Sequence, residues 1–338
     1  MNSNPHRTYK AVFQGGGCKA VSYIGAYREA LQSGVSFSEV SGSSGGSIVA
    51  AFIAAGATPD DLIRMLRNFD VARIRHRSTI FLIFYFLLNR IPKFIVDTCT
   101  TIVTAALRML RNQPVTDTGF RKNKWQLWHF IVEGIHMAIY GYIYPMDEFE
   151  KYIDLLLQQT LGINHTVHFR DLRLPLSVFT TDIYSHNYKV FSTREHPDMS
   201  VAHAIAASCA IPGYFKPVEG RYVDGCMVSN LPVFTIAEGA PYDRVLAITT
   251  DTRSIRHVSR LTPVDLVTQI AETIGQAGVN IQMASFPSAY NVRIPTDDYD
   301  MLEFAIIHNP IMRGKVIDIG AQAMHDFLQQ PDQPDRAT

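Results

Sequence analysis

The sequence has few cysteines, few charged residues and no net charge, and each of these shortages argues against a class of protein. Charged residues make up 18% of the 338 residues, and the formal net charge is zero. The chain as a whole therefore has no electrostatic attraction for nucleic acid, and we expect no nucleic-acid partner. The four cysteines form neither a zinc-binding spacing nor a disulfide framework, which fits a reducing compartment such as the cytosol; they are Cys18, Cys99, Cys209 and Cys226.

Long apolar runs are also missing. The longest covers residues 80–88, whereas a membrane-spanning helix needs about 20 apolar residues. The first residues of the chain lack the apolar core of a signal peptide. We therefore expect a cytoplasmic protein that at most binds the surface of a membrane.

The order of the predicted elements indicates an α/β fold. Short apolar segments, such as residues 9–14 and Leu176–Asp182, have the length of buried strands, and helical segments alternate with them. This alternation predicts a mostly parallel central sheet with helices on both faces. No repeat or linker divides the chain, so we expect one domain over residues 1–330, with a helical insertion at about 73–145 and a disordered tail at 331–338.

Local signals predict several boundaries near the N-terminus. A helix is expected over about residues 18–33, with Gly34 as a left-handed C-terminal cap. A short strand should follow at about residues 38–41. Thr58 and Asp61 have the spacing of a capping box, which predicts the start of another helix.

A serine in a glycine-rich turn is the first candidate for chemistry. Ser44 lies between Gly42 and Gly46, with a predicted strand before the turn and a helix of small residues after it. This arrangement is typical of a nucleophile elbow, in which small neighbours allow the tight turn that exposes the hydroxyl. The start of the helix also stabilises negative charge near the serine. The simpler interpretation is a turn of small residues without chemistry.

A second glycine-rich turn follows the first predicted strand. The three glycines at 15–17 leave backbone N–H groups at the start of a helix, where they can hold a phosphate or an oxyanion, and Lys19 adds positive charge. The same stretch fits a dinucleotide fingerprint, with Glu39 as the acid that would bind a ribose. That alternative gives Ser44 no role, whereas an acyl hydrolase needs both turns.

An attacking serine needs a base, and the sequence offers histidines and an aspartate. Histidine is the usual base, but His257, His308 and His325 have no motif around them. Asp224 ends a short predicted strand and precedes Gly225. Taken alone, this pair is most simply an ordinary Asp-Gly turn.

Taken together, these motifs resemble the patatin-like phospholipases. The order and spacing agree over roughly residues 8–70 and 147–250. The matching blocks are FQGGGCK at 13–19, similar to the family's oxyanion loop; GSSGG at 42–46, similar to its elbow; VDG at 223–225 with NLPV at 230–233, similar to its aspartate motif; and ASCAIP at 207–212 with FKPV at 215–218, similar to the preceding segment.

The resemblance implies a three-layer α/β/α patatin-like fold and a Ser–Asp dyad without histidine. Ser44 would attack the ester carbonyl of a phospholipid or another acyl lipid, and Asp224 would take its proton. The resemblance implies no metal and no other cofactor. It also implies an oxyanion loop and supporting turn residues; the loop consists of Gly15, Gly16, Gly17, Cys18 and Lys19, and the support of Gly42, Gly46 and Gly225.

Two positions depart from the family pattern. Cys226 stands where the family often has a second glycine after Asp-Gly, and Ala20 stands where it often has a glycine. Both residues are small, so we expect the two loops to keep their shape. The backbone next to Asp224 depends on Cys226 in particular.

The segment 73–128 combines positive charge with apolar residues and tryptophan. Residues 73–124 contain ten Lys or Arg and two Asp, and Trp125 and Trp128 follow directly. An anionic membrane interface attracts segments of this composition, so we expect peripheral membrane binding here. A helical cap over the active site with solvated charges explains the composition about as well.

Three functions follow from these patterns. The leading one is a lipid acyl hydrolase, of the phospholipase A or lysophospholipase type, that works through an acyl-enzyme. The second is a module that binds a nucleotide or phosphate with its glycine loop and performs no catalysis. The third is a serine hydrolase of soluble esters with a Ser-Asp-His triad. The sequence does not indicate the oligomeric state.

Overall fold

The computed structural model describes residues 7–68, 141–142, 144–237, 244–251, 263–301 and 303–330, without the side chains of 263–272. The chain divides into two compact units. The first comprises Met1–Val71, Met146–Pro212 and Pro217–Thr338, and the second Ala72–Pro145 and Gly213–Lys216. The predicted tail and nearly all of the predicted insertion lie outside the described residues.

The described residues of the first unit form a seven-stranded sheet with the order β4-β3-β2-β1-β6-β7, and β5 pairs with β3. Parallel pairing joins β1, β2, β3, β6 and β7, whereas β4 and β5 run antiparallel to β3. The mostly parallel sheet predicted from the sequence is therefore confirmed. The strands are β1 Arg7–Phe13, β2 Val35–Ser43, β3 Leu176–Asp182, β4 Asn187–Ser192, β5 Tyr222–Asp224, β6 Val245–Asp251 and β7 Tyr290–Pro295.

Helices connect the strands. In the described part of the chain they are α1 Ser22–Gln32, α2 Gly45–Ala55, α3 Pro59–Asn68, α4 Asp147–Leu161, α5 Val201–Ser208, α6 Phe234–Ala237, α7 Pro263–Ser285, α8 Ala305–His308 and α9 Pro310–Gln329. Short 3₁₀ helices cover Gly17–Val21, Phe169–Asp171 and Gly225–Met227. Every helix described is too short or too polar to traverse a bilayer.

Strand β1 shows why the fold has three layers. Val12 packs on one face of the sheet in a cluster with Val279 of α7. Phe13 points to the other face, where its ring lies 5.7 Å from that of Tyr23 in α1. Both residues of the strand are fully buried. A strand with consecutive buried residues is covered on both faces, as in α/β proteins.

Several local predictions are confirmed. Gly34 has a φ of 78°, the left-handed conformation expected of the cap. The N–H of Thr58 donates to the Asp61 carboxylate at 3.0 Å, and the N–H of Asp61 donates back to the Thr58 hydroxyl at 3.2 Å, which forms the capping box.

The helix predicted over residues 18–33 is wrong at its start. A 3₁₀ helix covers Gly17–Val21, and α1 begins at Ser22. The hydrogen bonding is local: the N–H of Lys19 donates to the carbonyl oxygen of Gly16, three residues back, at 3.0 Å, which is the 3₁₀ pattern. The strand predicted at 38–41 is also longer, because its pairing with β1 already begins at Val35.

Candidate active site

The pairing along β3 brings the two predicted catalytic residues together. β4 occupies one edge of β3 along most of its length, so β2 and β5 must share the other edge. Ser43, the last residue of β2, pairs with Phe179, and Asp224, the last residue of β5, pairs with Thr180. Ser44 therefore leaves its strand next to the position at which Asp224 ends its own.

Ser44 occupies a strained turn between β2 and α2. Its φ of 48° and ψ of −129° lie in a region that residues other than glycine rarely adopt. A Cβ atom on Gly42 would lie 2.5 Å from the carbonyl group of Gly46, and one on Gly46 would collide with the carbonyl oxygen of Phe13. Both glycines are therefore required by close backbone contacts, as a nucleophile elbow demands.

The hydroxyl of Ser44 donates to Oδ2 of Asp224 over 2.7 Å. The other carboxylate oxygen, Oδ1, accepts from the N–H of Cys226 at 2.9 Å. Asp224 is fully buried, whereas Ser44 is 6% exposed. Burial raises the pKa of the Asp224 carboxyl above its ordinary value, and the hydrogen bonds from Cys226 and Ser44 oppose that rise. A buried, more basic carboxylate thus contacts a serine hydroxyl directly.

Cys226 follows Asp224 without disturbing the turn. Its side chain is partly buried, and its backbone N–H holds Asp224 as described above. The pKa of its thiol is raised by burial and by the negative charge of Asp224, so the thiol stays protonated. Gly225 remains necessary beside it, because a Cβ atom there would lie 2.5 Å from Oγ of Ser43 and 2.7 Å from the carbonyl oxygen of Phe179.

Ser208, to which the sequence analysis gave no role, supports the strained turn. Its Oγ accepts from the N–H of Ser44 at 2.9 Å and donates to the carbonyl oxygen of Phe179 at 2.6 Å. The side chain is fully buried at the end of α5. The sequence signal that could have indicated this role is the position of Ser208, a polar residue at the end of a helix whose other residues are mostly apolar. The contact fastens the elbow to β3.

The glycine loop presents two free N–H groups. The N–H of Gly15 donates to the carbonyl oxygen of Asn230 at 2.8 Å, and those of Cys18 and Lys19 donate to backbone oxygens of Met301 and of the loop itself. The N–H groups of Gly16 and Gly17 have no acceptor among the described residues. Of the five predicted loop residues, Gly16 and Gly17 are therefore the two whose backbone N–H groups can donate to a ligand.

Gly15 and Asn230 lie beside the nucleophile. A Cβ atom on Gly15 would lie 3.2 Å from Cβ of Ser44 and would collide with Oδ1 of Asn230. That Oδ1 atom is buried and has no hydrogen-bond partner in the part of the chain that the structure describes. In the sequence, Asn230 belongs to the NLPV motif, which by itself indicates no function for this side chain.

The residues that the dinucleotide and histidine-triad alternatives require do not contact the Ser44–Asp224 pair in the described part of the chain. Glu39, the predicted ribose acid, forms an ion pair of 2.8 Å with Lys10. Nδ1 of His325 lies 2.9 Å from a carboxylate oxygen of Glu29. His308 ends the short helix α8, and His257 lies outside the described residues. No hydrogen bond between a described histidine and Ser44 or Asp224 is present.

Comparison with known proteins identifies the family. The family model described as patatin-like phospholipase matches residues 11–236, more than half of the chain. The uncharacterized protein YqhO of Bacillus subtilis (strain 168) is 24% identical over 333 residues, which are 94% of this chain and 97% of that protein. The crystal structure of VipD from Legionella pneumophila has a similar fold, with a TM-score of 0.52 and 17% identity over 96% of this chain and 67% of VipD. The chain belongs to the patatin-like phospholipase family, and this membership supports a lipid hydrolase activity in general.

Proposed function

We propose that the protein is a lipid acyl hydrolase of the phospholipase A or lysophospholipase type. Ser44 is its nucleophile and Asp224 its general base. The observation that carries the proposal is the 2.7 Å hydrogen bond from the Ser44 hydroxyl to the buried Asp224 carboxylate. A serine hydroxyl becomes a useful nucleophile when an adjacent base can accept its proton.

The reaction has two steps. The Oγ atom of Ser44 attacks the ester carbonyl carbon while Asp224 accepts the hydroxyl proton. The tetrahedral intermediate collapses, the bond to the alcohol breaks, and Asp224 returns the proton to the leaving oxygen, so that an acyl-enzyme remains. Asp224 then takes a proton from water, whose oxygen attacks the acyl carbon. The bond between this carbon and Oγ of Ser44 breaks, Asp224 returns the proton to Oγ, and the fatty acid leaves.

The N–H groups of Gly16 and Gly17 are the proposed oxyanion donors. Their lack of acceptors among the described residues supports this role, because a preorganised donor needs no rearrangement when the negative charge develops. The nearby start of α2, at which Ser44 is the N-cap, adds the favourable end of a helix dipole.

A hydrolysis assay with lipid analysis tests the proposal. Purified wild-type protein and Ser44→Ala are incubated with phosphatidylcholine vesicles, phosphatidylglycerol vesicles and lysophosphatidylcholine. We expect fatty acid and the deacylated lipid in equal amounts from the wild type alone, as measured by mass spectrometry. Activity on soluble esters that requires a histidine would favour the triad alternative. Dinucleotide binding without any hydrolysis would favour the binding module.

The pH dependence of the reaction follows from the environment of Asp224. Burial raises the pKa of this carboxyl above 3.8, and a general base works in its deprotonated form. We expect kcat/KM for a soluble short-chain ester to fall as the pH decreases through that raised pKa, at a pH above 3.8. Circular dichroism at each pH verifies the fold. Constant activity of folded protein down to pH 3.8 would contradict the assignment.

We further propose that the segment 73–128, which lies outside the described residues, binds an anionic membrane surface. Each basic group near such a surface contributes about 1 kcal/mol, and salt screens this attraction. Reversing Arg73, Arg75 and Arg77 to Glu should therefore weaken hydrolysis of anionic vesicles but spare a soluble ester. Equal loss of both activities, or wild-type binding that ignores lipid charge, would instead indicate a structural cap.

A further inference from the structure

Three metal-ligating side chains meet on the segment that joins α4 to β3. His165, His168 and Asp171 follow one another at intervals of three residues. One ligand atom from each lies within 4.8 Å of the other two. Two imidazoles and one carboxylate form a donor set that suits zinc and similar divalent ions.

The ring of His168 gives the clearest indication of a ligand. Its Nδ1 atom is buried, and the N–H of Asp171 faces the His168 side chain in a capping box, but no full hydrogen bond to Nδ1 is formed among the described residues. The nearest carboxylate oxygen of the cluster, Oδ2 of Asp171, is 3.5 Å away. A buried polar atom without a partner is unfavourable, and a cation between this nitrogen and the carboxylate would supply one.

The tautomer of His165 also suits coordination. Its Nδ1 atom lies 2.9 Å from the carbonyl oxygen of Thr166. Because a carbonyl oxygen can only accept a hydrogen bond, Nδ1 carries the proton and donates it, which leaves the lone pair of Nε2 for a ligand. Histidine ligands of metals commonly donate their other ring N–H to a backbone carbonyl in this way.

The backbone of the segment is already held in place. The N–H of His168 donates to Oδ2 of Asp171 at 2.8 Å, and the N–H of Phe169 donates to the carbonyl oxygen of Met199 at 3.2 Å. Side chains alone must therefore move to close the site. Ligand atoms about 2.1 Å from a tetrahedral ion lie about 3.4 Å apart. The atom of His165 that lies 4.0 Å from Oδ2 of Asp171 is Nδ1, so this side chain, which is 56% exposed, must rotate to present Nε2 and exchanges its contact with Thr166 for the ion.

We propose that His165, His168 and Asp171 bind a divalent ion of the zinc class, with water as the fourth ligand. The ion would fasten the segment between α4 and β3. His168 pairs with Ser200, which caps the start of α5, whereas the residue that contacts Ser44 lies at the other end of that helix, roughly 12 Å away. The site is therefore separate from the candidate active site, and it does not depend on the proposed hydrolase function.

Titration of the full chain, without a histidine tag, with Co²⁺ tests the proposal. We expect one equivalent to bind with the visible absorption of tetrahedral Co²⁺, and Zn²⁺ to displace it. His165→Ala, His168→Ala and Asp171→Asn should each weaken binding on the order of 100-fold or more. Zn²⁺ should also raise the melting temperature of the wild type but not of these variants.

His196→Ala is the matched control. Its Nδ1 atom is likewise buried without a hydrogen-bond partner among the described residues, but it does not belong to the cluster. Its binding of Co²⁺ should equal that of the wild type. If His168→Ala does not fold, His165→Ala serves as the test, because the side chain of His165 is exposed and its removal should not disturb folding. The proposal is overturned if the wild type binds no Co²⁺, if the cluster variants bind it equally well, or if His196→Ala loses binding to the same extent.

Discussion

Ser44→Ala and Asp224→Asn are each expected to reduce ester hydrolysis by at least about 10⁴-fold. Catalytic groups that act as a unit lose nearly all of their effect when either is removed. The double variant should therefore be no more impaired than the more damaging single variant. Both changes are small, and Asn retains an oxygen for the N–H of Cys226 while its amide NH₂ group can donate to Oγ of Ser44, so the fold should persist.

Ser192→Ala is the control for this result. Ser192 is buried and its Oγ accepts from the N–H of Glu195 at 3.2 Å, so the substitution removes a comparable hydroxyl outside the dyad. Its specific activity should stay within a few-fold of the wild type, measured as kcat/KM on a soluble ester with folding verified by circular dichroism. A folded Asp224→Asn enzyme with near-normal turnover would refute the role of Asp224.

Gly46→Ala and Gly42→Ala are expected to have the second largest effect. The added methyl on Gly46 would collide with the carbonyl oxygen of Phe13, and that on Gly42 would lie 2.5 Å from the carbonyl group of Gly46. Backbone atoms cannot yield without moving the elbow, and a displacement of about 1 Å in a reacting group can cost on the order of 10² in rate. We expect at least that loss of activity, together with a lower melting temperature.

Gly314→Ala provides the matched control for the elbow variants. A Cβ atom on Gly314 has no neighbour within 4 Å among the described residues. The residue lies inside α9, where alanine is preferred to glycine by about 1 kcal/mol. This variant should keep full activity and melt at the same or a higher temperature. Normal activity of Gly46→Ala would show that the turn at Ser44 does not need its tight geometry.

The catalytic pair and the central sheet could be predicted because their signals are local. Gly42, Ser44 and Gly46 fall within five residues, and the strand Leu176–Asp182 was predicted with the bounds that the structure has. Asp224 was identified through a short motif. The direct contact between its carboxylate and the Ser44 hydroxyl rests on the shared edge of β3, which strand order alone does not specify.

The contacts that depend on distant residues could not be predicted. The carbonyl oxygen of Asn230 engages Gly15, and that of Met301 engages Cys18; neither backbone group carries a sequence signal. The role of Ser208 could not be predicted, because a single serine in a helix of small residues has no specific pattern around it. Its two partners, Ser44 and Phe179, are distant in sequence and come close only in the folded chain.

Fluorophosphonate labelling followed by peptide mass spectrometry tests the central claim most directly. We expect a single adduct on the peptide that contains Ser44 in the wild type, none in Ser44→Ala, and greatly slowed labelling in Asp224→Asn. His257→Ala, His308→Ala and His325→Ala should label at the wild-type rate, because the base is an aspartate. An adduct on another residue, or labelling that requires one of these histidines, would contradict the Ser44–Asp224 dyad.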